Sequence, residues 1–347
     1  MLIMSTALFI FTLITIVLYF IVRFAVRSTN ISSTPDALRW RATAMTVAGS
    51  GTTAGSASNQ LSFPVDMAID SFNTLYVADF INNRIQKWPS DSPNGTTVAG
   101  NASGSHGTTL NDLRSPKGII VDTQQNLYIT DSGNHRVLRW TVGASAGVLV
   151  AGTGGQGAQY DQFASPSLLT RDVNTGTLYI ADYYNYRVMS YAPGAVNGTL
   201  VIGNQGQGIN TTQLNLPVGI YFDSPSNYLY ICNYYSHHVV RLKPGDKQWT
   251  LVAGTPGTFG SSATLLNYPN GITLDPMGNL YVADSGNHRI QLFLAGQTTA
   301  RTIAGITGSS GSTGVQLNAP FSVRLDSQLN LYVADLSNNR IQKFLRY

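Results

Sequence analysis

The repeat pattern of this chain predicts an all-β fold, a six-bladed β-propeller. Three observations carry that expectation. The string L-Y-[VI]-x-[DN] recurs six times, ending at Asp79, Asp131, Asp182, Asn233, Asp284 and Asp335, at intervals of 52, 51, 51, 51 and 51 residues. A proline opens a second motif in each unit (Pro64, Pro116, Pro166, Pro217, Pro269, Pro320), and an aspartate follows six residues later (Asp70, Asp122, Asp172, Asp223, Asp275, Asp326). A third string, [VI]-[AI]-G, ends at Gly49, Gly100, Gly152, Gly203, Gly254 and Gly305. A period near 50 residues with four short strands per unit marks a propeller blade.

Each unit reads as four strands, here lettered a to d. Strand a follows the proline, as in GIIVD at 118–122. Strand b is LYVAD or its equivalent, strand c is NRIQKW or similar, and strand d ends in VAG. These runs are rich in Val, Ile and Tyr and are broken by Gly, Asn, Asp and Pro. The phase of the repeats predicts how the ring closes. The first VAG, at 47–49, precedes the first strand a, and the last unit stops after strand c at Tyr347. The amino-terminal strand should therefore complete blade six, removing the exposed sheet edges that invite aggregation. A monomeric propeller is expected.

The turn between strands b and c carries D-x-x-N-x-R: Asp79/Asn82/Arg84, Asp131/Asn134/Arg136, Asp182/Asn185/Arg187, Asp284/Asn287/Arg289 and Asp335/Asn338/Arg340. Asp and Asn fold their side chains onto local amides in such turns. The arginine is expected to pair with the aspartate across the hairpin or with a neighbouring blade. Blade four has Asn233, Ser236 and His238 instead, so both charged partners are lost together. That is the pattern expected of a buried pair, since one charge left alone would cost several kcal/mol.

Gly133-Asn134-His135-Arg136-Val137 and Gly286-Asn287-His288-Arg289-Ile290 resemble the signature of the NHL repeat. With PxGI…D, LYVAD and VAG around it, the resemblance covers all six units, over 45–347, and implies a six-bladed NHL propeller. It does not imply one activity. The family includes an amidating lyase whose zinc is held by channel-lining histidines. Those ligands are expected near the start of strand a, where this chain has Asp66, Gly118, Leu168, Gly219, Gly271 and Ser322 two residues after each proline. None is a histidine. A similar six-bladed enzyme, the calcium-dependent gluconolactonase type, uses a glutamate, and this chain has no glutamate at all. Asp66 replaces a repeat glycine and is the one channel candidate.

Charged residues make up 11% of the 347 and hydrophobic ones 43%, which excludes a globally disordered chain. The single cysteine, Cys232, rules out an intrachain disulfide, and at the end of strand b it reads as a packed small hydrophobe. Residues 1–22 carry no charge and are long enough to cross a bilayer, so they read as one transmembrane signal-anchor helix, with 23–44 as a polar tether. Arg23, Arg27, Arg39 and Arg41 argue for a cytoplasmic propeller. The low charge and Ser/Thr/Asn/Gly-rich composition argue for an extracellular or lumenal one, the orientation adopted here. Sequons at Asn30, Asn94, Asn101, Asn197 and Asn210 occur no more often than chance allows.

Some NHL propellers bind single-stranded RNA, which needs a basic stripe. From residue 45 onward, 17 Lys and Arg face 16 Asp, and Lys117, Arg139, Lys243 and Lys247 are scattered. Nucleic acid is therefore a third-ranked reading. The glycine-rich GTGGQG (152–157) and GNQGQG (203–208) lie between strands rather than before a helix, which argues against phosphate binding. The d–a and b–c loops of a propeller share one face. Blades three and four crowd it with Tyr183, Tyr184 and Tyr186, then Tyr234, Tyr235 and His237. Aromatics with polar handles suit recognition of a protein or glycan. The expected role is non-catalytic recognition from a membrane tether, with no cofactor or metal; the alternative is a channel-centred metal-dependent hydrolase or lyase.

Overall fold

The computed structural model describes residues 38–347; the expectations for residues 1–22 and 23–37 lie outside the described residues. Among the described residues, no helix is long and apolar enough to cross a membrane. Those residues form six four-stranded antiparallel sheets, one per repeat. In blade one, strands a to d are Pro64–Ile69, Leu75–Asp79, Arg84–Trp88 and Thr96–Gly100. Blade six is built from both ends of the described chain. Met45–Ala48 pairs with Arg340–Phe344, setting Met45 opposite Lys343 and Ala48 opposite Ile341, so the amino-terminal strand completes the last blade. Strand a of blade one packs against strand a of both blade two and blade six, closing the ring. Packing begins ahead of residue 45. Trp40 is buried, donates from Nε1 to the Leu329 carbonyl at 2.8 Å and sits edge-on to Tyr281.

All five residues of strand b are buried in blades one, two, three, five and six. The strand is covered on both faces by neighbouring blades, which is why its sequence is a near-continuous apolar run rather than an alternating one. One core cluster shows the packing of blade on blade: Tyr76, Ala78 and Ile85 of blade one meet Ile119, Ile129 and Trp140 of blade two. Strand d is the outer, partly exposed strand. Its terminal glycine is required twice over. In blade three Gly203 has φ +90°, and an added Cβ would lie 2.2 Å from the Tyr186 carbonyl oxygen.

The charged turn motif is a buried hub in five blades. In blade three, Asp182 Oδ1 accepts the Ala164 amide, while Oδ2 accepts Asn185 Nδ2 and Arg187 Nε. Arg187 then spends its remaining donors on the carbonyls of Ala158, Gln159 and Gln162 in the d–a loop. The other four pairs lie at 2.7–2.8 Å, each within one hairpin. Blade four keeps the geometry without charge. His238 Nδ1 donates to the Ser236 carbonyl at 2.8 Å, leaving Nε2 to accept Asn233 Nδ2 at 3.2 Å, and Asn233 Oδ1 accepts the Asn215 amide.

A second device joins each blade to the next. The residue before every blade proline is left-handed, from Phe63 at φ 55° to Ala319 at φ 49°. Non-glycine residues adopt this conformation only when something holds them there. The holder is the left-handed residue ending the b–c turn of the preceding blade. Asn83 Oδ1 accepts the Ser115 amide, His135 Nδ1 that of Ser165, His237 Nδ1 that of Tyr268, His288 Nδ1 that of Ala319, and Asn339 Oδ1 that of Phe63. The histidine of the repeat signature is thus an interblade latch. Tyr186 holds the remaining position with a phenol instead of an imidazole or amide.

Candidate functional site: the loop-face mouth of the channel

Each blade proline breaks the register of strand a. In blade two, Pro116 lies opposite Asp131, and the next aligned pair is Ile119 with Ile129. Proline has no amide to give a ladder, so a bulge forms behind it. This bulge brings the residue after the proline to the mouth. The cavity at the mouth, about 350 Å³, is lined by the residues one after the proline in five blades: Lys117, Ser167, Val218, Asn270 and Phe321. None of the residues two after the proline lines it. Gly219 shows why, since a Cβ there would lie 2.1 Å from the Asn270 carbonyl oxygen of the next blade. At this mouth the lining position is therefore one residue before the position singled out from the sequence, although Leu168, two after its proline, packs with Val65 and Val218 beneath the cavity.

Asp66 accordingly is not an open ligand. It is fully buried between blades, 2.8 Å from an Arg324 guanidinium nitrogen of blade six, and accepts from Ser322 Oγ and the blade-two Ile119 amide. Arg324 also donates to the Ile272 carbonyl of blade five. The pair ties four blades together. Among the described residues, no group of three or more His, Cys, Asp or Glu could hold a metal ion. The donor set therefore does not fit the zinc or calcium centres implied by the enzyme members of the resemblance. Cys232 is fully buried, and burial pushes its thiol well above the ordinary range, so it is no nucleophile.

The aromatic candidates divide into three places. Tyr183 and Tyr234, the first residues of their turns, point inwards and line the cavity. They pack on an apolar plug of Val65, Leu168 and Val218. Burial first, and then the neighbouring phenols of Tyr234, Tyr184 and Tyr186, push Tyr183 up to about 12, so it stays protonated as a hydrogen-bond donor. Tyr184 and Tyr235, the second residues, are outward-facing and 57% and 52% exposed. Tyr186 is half-buried at the latch position. His237 is corrected from a surface residue to a buried one: its Nδ1 is occupied by the Tyr268 amide, and its ring sits edge-on to Tyr268.

Sequence reasoning missed Tyr268 and the lining residues just named. Tyr268, the residue before its proline, joins the cavity and packs at a tilt against both Tyr234 and Tyr235. Lys117 Nζ lies 5.1 Å from the centre of the Tyr183 ring and 3.5 Å from Ser165 Oγ. Burial pushes its ammonium down to about 8. The available signal was variability. The position after the proline reads Val, Lys, Ser, Val, Asn, Phe through the six units, where a purely structural position would repeat.

Comparison with known proteins places these features in a family. The NHL repeat family model matches residues 113–140 and 266–293. Human NHL repeat-containing protein 2 is 28% identical over 274 residues, covering 63% of this chain and 37% of that protein. The chain thus spans little more than a third of that relative's length. Peptidyl-glycine alpha-amidating monooxygenase A of Xenopus laevis is 27% identical over 183 residues, 52% of this chain and 14% of that protein. Among solved structures, an auxiliary nutrient binding protein from Bacteroides thetaiotaomicron superposes with a TM-score of 0.66 at 16% identity, covering 89% of this chain and 76% of that one. At that identity the likeness speaks for the fold alone.

Proposed function

The chain belongs to the NHL-repeat family, and we propose that its propeller is a non-catalytic recognition domain that binds a protein or glycan through its loop face. One observation carries this reading. The b–c turns of two adjacent blades place Tyr183 and Tyr234 inside a cavity and Tyr184 and Tyr235 on its outer rim, with Tyr268 between them. Large, stiff aromatic side chains grouped around a recess are what partner recognition uses, because they lose little conformational freedom on binding. The uncharged run at 1–22 supports a membrane tether, and the low charge and Ser/Thr/Asn/Gly-rich composition support an extracellular or lumenal propeller.

The test is binding of the full chain to arrays of glycans and of purified extracellular protein domains. Tyr184→Ala combined with Tyr235→Ala should weaken capture at least tenfold, because both rings are more than half exposed on the rim of the recess. The thermal midpoint should hold within a few degrees. Unchanged capture by the double variant would overturn the assignment of the face.

The similarity to the amidating monooxygenase favours a second reading, a channel-centred hydrolase or lyase. Against it stand the occupied carboxylate of Asp66 and the inward turn of a different residue at each bulge.

A further inference from the structure

The channel mouth holds a cation with no anion. Besides His288, Lys117 is the only titratable nitrogen among the thirteen lining residues, and no carboxylate among the described residues lies within ion-pair distance of its ammonium. Its neighbours are a phenol ring and a weakly placed hydroxyl. Two further polar groups in the same wall are buried without partners. Ser167 Oγ and Asn270 Oδ1 make no hydrogen bond, and their residues are only 1% and 5% exposed. An unpartnered buried polar atom costs about 1–3 kcal/mol, so two at one cavity need an explanation outside the fold. Asn270 is held with its oxygen free, because its Nδ2 already donates to Ser285 Oγ at 2.7 Å.

We propose that this mouth binds the terminal acidic sugar of a glycan, with its carboxylate against Lys117 Nζ, its hydroxyls on Ser167 and Asn270, and its ring against Tyr183 and Tyr234. The proposal rests on the recognition reading and names the chemistry of the ligand for it. The assignment follows from the mixture of groups. A lone ammonium would suit any anion, but a phosphate or sulfate asks for several donors converging on one point. Here the donors and acceptors are spread around a recess with aromatic walls. Ser167 can donate or accept, whereas Asn270 Oδ1 can only accept, so the ligand must offer a hydroxyl or amide as well as a negative charge. A sugar ring offers an apolar C–H face, several hydroxyls and, when oxidised at one carbon, a carboxylate. The volume, near 350 Å³, lies at the small end of ligand pockets and suits one terminal residue rather than a buried chain.

The measurement is calorimetry on the full chain with three probes: methyl β-glucuronide, methyl β-glucoside and acetylglycine. The glucuronide should bind at least tenfold tighter than the glucoside, a difference of about 1.4 kcal/mol. Lys117→Met should erase that preference and Lys117→Arg should keep most of it. Removing a half-buried unpaired cation should leave the thermal midpoint unchanged, so lost binding cannot be blamed on unfolding. Ser167→Ala and Asn270→Ala should weaken both sugars alike. Equal binding of glucuronide and glucoside, or unchanged preference in Lys117→Met, overturns the proposal. Acetylglycine binding as tightly as the glucuronide also overturns it, in favour of a peptide carboxylate. If the glucuronide fails while array capture still depends on Tyr184 and Tyr235, the acidic-sugar site falls and the recognition reading stands. If both fail, both fall.

Discussion

Blades three and four do the same mechanical job with opposite electrostatics. In blade three, a fully buried Asp182–Arg187 pair at 2.7 Å ties the b–c turn to three carbonyls of the d–a loop. In blade four, Asn233 and His238 hold the turn with neutral hydrogen bonds. The sheets have the same strand order and the same turn. The fold therefore requires a hydrogen-bonded link across the turn, not charge, even though the Ser236 hydroxyl that replaces the hub asparagine has no partner. What it cannot tolerate is half of a charged pair.

The largest effect should come from breaking the pair in blade three. Arg187→Met leaves the Asp182 carboxylate buried with its backbone and Asn185 donors only, and should cost about 3–5 kcal/mol, read by chemical denaturation of the full chain. The converse experiment belongs to blade four. His238→Arg alone brings a guanidinium into a site with no carboxylate and should cost a similar amount. Adding Asn233→Asp and Ser236→Asn rebuilds the five-blade motif, and the triple variant should return to within about 1 kcal/mol of the parent, since neighbouring changes of this kind couple strongly. A triple variant as unstable as His238→Arg would show that blade four differs in more than its hub.

The neutral hub makes blade four sensitive to acid. Burial, the largest influence, holds His238 down at about 4, against an ordinary value of 6.5, and the nearby His237 pushes the same way while the bond to the Ser236 carbonyl opposes both. A depressed folded-state value means that the unfolded chain binds the proton first. The stability this histidine contributes is therefore complete above pH 6.5 and is lost as pH falls from there to 4, by up to roughly 3 kcal/mol. The check is the difference between parent and His238→Gln across that window, which removes the shared contribution of the aspartates. Parallel stability–pH curves for the two proteins would contradict the assignment.

How far the fold was legible follows from how each feature is encoded. The six blades and the closure by Met45–Ala48 were readable because they rest on periodic apolar strings and on phase, both properties of sequence alone. The charged hubs were readable because partners vanish together in blade four. The residues lining the mouth were not foreseen because a bulge behind each proline shifts register, and nothing in a strand's alternation announces a bulge. Tyr268 was missed for a related reason. It precedes a proline in left-handed backbone, where a loop residue of any type is expected and only the fold shows that it lies between Tyr234 and Tyr235. His237 was misread because its turn is exposed in pattern, while its ring reaches across to the next blade.

That reach gives the smallest and most discriminating prediction, again in blade three. Five left-handed turn residues present an acceptor to the left-handed residue before the next proline, and Tyr186 is the exception. The recipient there is Leu216, with φ 52° like its five counterparts. If the latch contributes as an ordinary hydrogen bond, His135→Ala in blade two should cost about 1 kcal/mol. Tyr186→His, which installs the imidazole used in blades two, four and five, should gain up to about 1 kcal/mol in stability. The two variants move in opposite directions through the same contact, so a small measured change in either can be judged against the other. A Tyr186→His protein less stable than the parent would mean that the phenol has a role of its own. Tyr186 lies in the turn that also presents Tyr183 and Tyr184, so binding of the glucuronide to that variant would show whether the role is in holding the blade or in shaping the mouth.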